Sequence, residues 1–196
     1  MKTLGVFIVK VDKPIKDTFT TKGGLELYID TKFNEFEYRQ TAGEVLSPPL
    51  RLNTGVSVGD TLYFHHLVVV EKGQRVTGTD DQYIVKCDPT YTIGNQAIAY
   101  KSKETGEITP LFGWTLLRPY EQDNNEESGL IQVVSLKEKP VTRGVVAFDC
   151  PAIQELGIKV GDVVGFAKNM DYRVDIDGEE LYRVRAEDLL YVKNNE

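Results

Sequence analysis

The feature that most constrains the fold of this chain is an internal repeat. The segment VSVGDTLYF at residues 56–64 is repeated as IKVGDVVGF at residues 158–166. This alignment matches Gly59 with Gly161, 102 residues further along the chain. Four more pairs of blocks follow in the same order: GVFIVK (5–10) with GWTLLR (113–118), KGGLEL (22–27) with ESGLIQ (127–132), TAGEVLS (41–47) with TRGVVAF (142–148), and DDQYIVK (80–86) with GEELYRVR (178–185). An ordered series of this kind predicts two homologous domains, at residues 1–105 and 106–196.

The repeated blocks have the composition of short β-strands. Val6-Phe7-Ile8-Val9 and Thr61-Leu62-Tyr63-Phe64 are rich in β-branched and aromatic residues, and Gly, Asp and Pro bound them; this pattern is typical of small antiparallel sheets. Each Val-Gly-Asp predicts a tight turn that needs glycine at positive φ, and one helical turn is expected near residues 153–156. The sequence therefore predicts an all-β chain of two small β-barrels.

Charge and cysteine content exclude several classes of function. The 196 residues carry a net charge of −7, and all of it falls in residues 106–196, which hold 17 acidic and 10 basic side chains. An acidic half argues against nucleic acid as a partner, because such binding depends on Lys and Arg neutralising phosphates. No apolar run is long enough for a membrane span, so no membrane partner is expected. Cys87 and Cys150 have no Cys or His neighbour that would suggest a metal site, and we interpret them as free thiols in the cytoplasm.

Motifs for catalysis are missing from the sequence. It has no Gly-x-Ser-x-Gly elbow, no P-loop, no dinucleotide fingerprint and no His-Glu-x-x-His. The adjacent pair His65-His66 is interpreted as strand-end packing, and the acidic residues at 171–179 lack the spacing of a calcium loop. We expect no enzymatic activity, no cofactor and no metal.

In their order, the repeated blocks resemble the GroES-type co-chaperonins. PLFGWTLLRP (110–119), TRGVVAF, IKVGDVVGF and IDGEELYRVRAEDLLYV (176–192) are similar to successive strands of that family across most of the second half. The first half is similar through GVFIVK, TKGGLEL, TAGEVLS and VSVGDTLYF, and it departs from the family after Cys87. The resemblance implies two tandem GroES-like β-barrels in one chain, of a phage-like or chloroplast-tandem-like form. A phage-encoded protein would act in the host cytoplasm.

What the resemblance implies about function is a co-chaperonin that self-associates into a ring and caps an ATP- or ADP-bound GroEL-type chaperonin. The contact would be made by the tips of mobile loops near residues 16–40 and 121–142. The residues that match the family's Gly-Gly-apolar tip are Gly23, Gly24, Leu25, Glu26 and Leu27 in the first domain and Gly129, Leu130, Ile131 and Gln132 in the second. Glu26 and Gln132 stand where the family has apolar residues, and an unpaired polar group is costly to bury. We therefore expect Leu25 and Leu27 to face the partner and Glu26 to face away.

Two other interpretations of these residues stay open. Leu25-Glu26-Leu27 also fits a plain edge strand that runs on through Tyr28-Ile29. The whole chain also fits a structural ring, shell or virion assembly protein that keeps the fold without binding a chaperonin.

Overall fold

A computed structural model describes residues 2–21, 23–28, 38–70, 74–88, 95–120 and 142–193. The chain divides into two compact units, Met1–Phe112 and Gly113–Glu196, here called the first and the second unit. The sequence places the division after residue 105, whereas in the structure the strand Ile108–Pro110 pairs within the first unit.

The strands of the first unit form a six-stranded antiparallel sheet and a separate two-stranded hairpin. In chain order they are β1 (Val6–Lys10), β2 (Thr18–Thr20), β3 (Glu26–Tyr28), β4 (Ala42–Ser47), β5 (Thr61–Phe64), β6 (Gln82–Lys86), β7 (Ala97–Lys101) and β8 (Ile108–Pro110). The order across the sheet is β6-β1-β4-β5-β7-β8, and the hairpin consists of β2 and β3.

A second six-stranded antiparallel sheet builds the second unit. Its strands are β9 (Trp114–Pro119), β10 (Arg143–Val146), β11 (Val163–Phe166), β12 (Tyr172–Ile176), β13 (Glu179–Arg185) and β14 (Leu189–Lys193). They lie in the order β12-β13-β9-β10-β11-β14. The predicted all-β class is confirmed.

Five strands occupy the same positions in both sheets. The order β6-β1-β4-β5-β7 in the first sheet has the counterpart β13-β9-β10-β11-β14 in the second. Where two aligned blocks of sequence both form described strands, those strands hold the same position in their respective sheets. The sixth strand differs, because β8 lies beside β7 in the first unit, whereas β12 lies beside β13 in the second.

The two Val-Gly-Asp segments form equivalent turns. Gly59 has φ +90° and Gly161 has φ +94°, a region that side chains with a Cβ rarely adopt. The carboxylate of Asp60 accepts a hydrogen bond from the N–H of Ser57 at 2.7 Å, and that of Asp162 accepts one from the N–H of Lys159 at 2.9 Å. Each aspartate therefore closes its own turn and aligns the strand that follows.

Each unit has its own hydrophobic core. Phe7, Val45, Leu62 and Tyr83 are among the buried residues of the first. The members of the second core include Leu117, Val146, Ile153, Phe166 and Val184. Burying a side chain of this size contributes roughly 1.5–3 kcal/mol, so each core stabilises its own unit.

The two cysteines are buried free thiols in different units, as the sequence predicts. The thiol of Cys87 donates to the carbonyl oxygen of Gly5 at 3.4 Å, and that of Cys150 to the carbonyl oxygen of Trp114 at 3.5 Å. Burial raises the pKa of Cys87 to about 11 and also raises the pKa of Cys150. Both thiols are therefore protonated at neutral pH and serve as packing groups.

Helical structure is minor in the described residues. One turn of α-helix, α1 (Pro151–Gln154), overlaps the predicted turn, and short 3₁₀ turns cover His66–Val69 and Ala186–Asp188. In this part of the chain no helix is long and apolar enough to cross a membrane.

Candidate functional site

The predicted first loop tip lies on the hairpin β2–β3, which the chain forms between β1 and β4. Its base is closed by a bridge between Ile15 and Arg39 and by a 2.7 Å hydrogen bond from the N–H of Lys16 to the carbonyl of Tyr38. The strands pair with Thr18 opposite Tyr28 and Thr20 opposite Glu26. Leu25 lies at the turn of this hairpin, and Glu26–Tyr28 is a strand of it, separate from the six-stranded sheet. A plain edge strand through Tyr28 therefore stays an alternative interpretation of these residues.

Thr21 and Gly24 shape the turn at the tip. The N–H of Thr21 donates to the carbonyl of Leu25 at 2.8 Å, and the N–H of Leu25 donates back to the hydroxyl of Thr21 at 3.1 Å. Gly24 has φ +80°, which a residue with a Cβ adopts only with strain, while Gly23 has no such requirement. These two hydrogen bonds fix the backbone of Leu25 at the end of the turn, where its side chain is exposed to solvent.

The tip exposes a compact apolar surface. Leu25 is 61% exposed and Leu27 is 38% exposed, and Tyr28 beside them is exposed as well. Alternation along the strand places Leu25 and Leu27 on one face and Glu26 and Tyr28 on the other. We call Leu25 and Leu27 the leucine face. Large apolar side chains that project together from a small hairpin gain free energy only when a partner covers them.

Tyr28, which the sequence analysis did not include among the site residues, is exposed on the face opposite to the leucine face, together with Glu26. Its position follows from the sequence, because it comes directly after Leu27 in an alternating strand.

The predicted second tip, with Gly129, Leu130, Ile131 and Gln132, lies outside the described residues. In the chain this segment follows β9, which ends at Pro119, and precedes β10, which begins at Arg143. These strands are the counterparts of β1 and β4. The second predicted loop and the hairpin therefore connect corresponding strands.

The outer edge of β14 is a second candidate surface. The bulges at Tyr63/Phe64 and Gly165/Phe166 match, so that Leu190 in β14 corresponds to Ile98 in β7. Ile98 is 1% exposed, whereas Leu190 is 67% exposed. In the first unit β8 lies along β7, and the N–H of Leu111 donates to the carbonyl of Ile98 at 2.8 Å. No described strand lies along the outer edge of β14.

Two clefts that are lined by described residues show no catalytic arrangement. One cleft of about 340 Å³ is lined by Asp60 and Lys103 among others, and the carboxylate of Asp60 is used by the N–H groups of Ser57 and Lys103. Another, of about 450 Å³, lies beside α1. No group of three potential metal ligands occurs within the described residues. The rings of His65 and His66 stack at 4.3 Å, and the side chain of His65 accepts a hydrogen bond from the N–H of Leu67, which caps the 3₁₀ turn His66–Val69.

Comparisons with known proteins agree on one family. The family described as Chaperonin 10 Kd subunit matches residues 107–192. A Co-chaperonin GroES of Coprothermobacter proteolyticus is 35% identical over 96 residues, which are 46% of this chain and 98% of the relative. The Co-chaperonin GroES of Pseudothermotoga lettingae is 32% identical over 43% of this chain and 93% of its own length, and that of Legionella pneumophila is 32% identical over 44% and 96%.

Proposed function

Because the chain belongs to the Chaperonin 10 Kd subunit family, we propose that it is a tandem co-chaperonin that caps a GroEL-type chaperonin ring and assists ATP-dependent protein folding. The similar proteins named Co-chaperonin GroES support a co-chaperonin role. The capping mechanism, the use of two domains and the partner are our inference from the hairpin, the two sheets and the family.

The observation that carries this proposal is the exposed leucine face at the tip of the hairpin. Its two leucine side chains are apolar and exposed, so they can pack into an apolar groove of the partner. Because side chains alternate along a strand, Glu26 points away from that groove. One such contact buries little area and is weak. A ring that carries many tips docks them together, and their affinities combine through effective concentration.

The first unit is proposed to be a second co-chaperonin domain, although the family match covers residues 107–192. Support comes from the shared order of five strands, from the equivalent glycines at 59 and 161, and from the corresponding positions of the hairpin and the segment between β9 and β10. Gly43 and Gly144 also occupy equivalent places, because Gly43 packs against the end of β1 and Gly144 against β9, the counterpart of β1.

Ring assembly is proposed to use the outer edge of β14. An exposed sheet edge with Leu190, Tyr191 and Val192 is a template for strand addition from another molecule. Strand β8 already covers the corresponding edge of β7 within the chain. A contact between β14 and a different surface of the next copy is heterologous, and such contacts close into rings when the rotation allows it.

We expect Leu190→Lys to reduce self-association by about tenfold or more, because a lysine at a sheet edge opposes the addition of another strand. The side chain of Leu190 is exposed, so the variant should fold normally. Sedimentation velocity over a concentration series measures the effect, with Leu156→Lys, which alters another exposed leucine of the second unit, as the matched control. Unchanged assembly of Leu190→Lys would remove β14 from the proposed interface.

The chain is proposed to have no active site of its own. The relatives that it matches are co-chaperonins, and neither cleft pairs a nucleophile with a base. In this proposal ATP hydrolysis belongs to the chaperonin, and this chain contributes binding and enclosure.

Co-sedimentation with a GroEL-type ring tests the proposed function. We expect the full chain to pellet with the ring in the presence of ADP or ATP and to remain in the supernatant without nucleotide. Stable self-assembly without capture by the rings of any tested bacterial host would favour the structural ring or shell protein instead.

A further inference from the structure

Two arginines and two aromatic rings form a stack on one face of the second sheet. Tyr172 of β12 lies opposite Arg183 of β13, and Arg185 lies opposite Trp114 of β9. The guanidinium carbon of Arg183 is 5.1 Å from the centre of the Tyr172 ring and 4.8 Å from that of Trp114. The guanidinium carbon of Arg185 is 4.5 Å from the Trp114 ring. We call these four residues the arginine–aromatic stack.

The positive charge of Arg183 is not balanced within the described residues. Arg183 is only 8% exposed, and no carboxylate or hydrogen-bond acceptor of the described chain contacts it. Arg185 reaches the carboxylate of Glu187 at 3.7 Å, and that glutamate is largely in solvent. Burial lowers the pKa of Arg183 to about 10, so the group remains charged at neutral pH.

An unpaired charge in this position is unusual. Cation–π contacts with two rings offset part of the cost of desolvating a guanidinium, but a buried charge normally has an ionic or hydrogen-bonding partner as well. The five N–H donors of an arginine form a planar fork, and contacts with ring faces do not use the edges of that fork.

Trp114 supplies an independent sign of a missing acceptor. Its indole Nε1 is buried and has no hydrogen-bond partner among the described residues. An indole N–H is a donor only, and buried donors are nearly always paired. Within the described residues the stack thus holds a guanidinium with no ionic partner and a buried indole N–H with no acceptor, while the exposed ring of Tyr172 marks the side from which solvent reaches the stack.

We propose that the arginine–aromatic stack is a binding site for a carboxylate, presented by an acidic side chain of another polypeptide segment. A carboxylate is acceptor-only and planar, and it fits the guanidinium fork through two parallel hydrogen bonds. It also neutralises the charge that the described chain leaves uncompensated at Arg183. The ligand is an acidic peptide, and its binding does not depend on capture by a chaperonin ring.

Trp114 is the only tryptophan of the chain, so its fluorescence reports on this site alone. We would titrate the full-length protein with the blocked tripeptide acetyl-Gly-Glu-Gly-amide and with its Gln analogue, at constant ionic strength because salt screens such contacts. We expect a saturable fluorescence change with the Glu peptide and none with the Gln peptide. Arg183→Gln should weaken the response by about tenfold or more, as loss of a charged hydrogen-bond partner does.

Arg173→Gln is the matched control. It removes the same charge from the neighbouring position of β12, where the side chain is exposed and lies 3.7 Å from Glu180. It should titrate like the wild type. Circular dichroism checks the fold of each variant, and if Arg183→Gln does not fold, the wild-type comparison of the two peptides decides alone.

The proposal is overturned if the wild type shows no saturable response, or responds equally to the Glu and Gln peptides. It is also overturned if a folded Arg183→Gln variant binds as the wild type does. An equal response to inorganic phosphate would show a general anion site and would contradict the carboxylate assignment. None of these results depends on co-sedimentation with the ring, so failure here is separate from failure of the proposed function.

Discussion

The double substitution Leu25→Ser and Leu27→Ser is expected to abolish nucleotide-dependent capture of the chain by a GroEL-type ring. Burying one leucine in an apolar groove contributes roughly 1.5–3 kcal/mol. The loss at each tip is multiplied across all the tips of a ring that binds together, so a moderate local change removes the whole interaction. Co-sedimentation with the ring and ADP measures the result.

The fold of this variant should be intact. Both leucines are exposed on a hairpin that is separate from the core of the first unit, so the free energy of unfolding should change by less than about 0.5 kcal/mol. The matched control is Leu50→Ser with Leu67→Ser, which alters two other exposed leucines of the same unit. Capture that survives in the Leu25 and Leu27 variant, or is lost equally in the control, would exclude the leucine face as the contact.

The strand-rich composition of the repeated blocks and their turn glycines could be predicted from the sequence, whereas the order of the strands in each sheet could not. Glycines that the blocks align, such as Gly59 and Gly161, have the same backbone conformation in the structure. The turn glycines and the strands could be predicted because both are local features, which the spacing of glycines and apolar residues along the sequence reveals. The single helical turn at α1 was predictable for the same reason.

Strand β8 was not predicted from the sequence. The boundary between the two units was therefore expected at residue 105, before this strand. Ile108–Pro110 is short and ends in a proline, which a sequence pattern does not favour as a strand. Its hydrogen bonds are made with β7 at the edge of a sheet, where a proline is tolerated. Pairing across a sheet edge depends on the assembled fold and leaves little local signal.

The candidate sites were predictable to different degrees. The leucine face could be proposed from Gly-Gly-Leu and strand alternation. The arginine–aromatic stack had no sequence signal, because arginine is expected at the surface and only the register of β12, β13 and β9 brings Arg183 between two rings. The tip with Leu130 and Ile131 stays a prediction.

Gly144→Ala is expected to destabilise the second unit by about 1–3 kcal/mol, the usual range for forcing extra volume into a packed site. A Cβ at this position would lie 2.7 Å from the Cβ of Leu117 and 3.1 Å from the carbonyl oxygen of Arg118. Both atoms are fixed to the backbone of β9, so β10 must move away from β9. Urea unfolding followed by the fluorescence of Trp114, which lies in the second unit, measures the loss.

Gly43→Ala tests whether the first unit relies on the same close approach. Its Cβ would lie 2.7 Å from the carbonyl oxygen of Lys10, so β4 and β1 should separate as β10 and β9 do. Because the cores are distinct, we expect this variant to expose Cys87 to thiol reagents at lower urea while the Trp114 transition is retained. Gly5→Ala, whose Cβ meets no atom within 4 Å, is the matched control and should change neither transition. If Gly43→Ala and Gly144→Ala unfold like the wild type, the backbones tolerate a Cβ at these contacts, and the glycines are not what holds the paired strands in register.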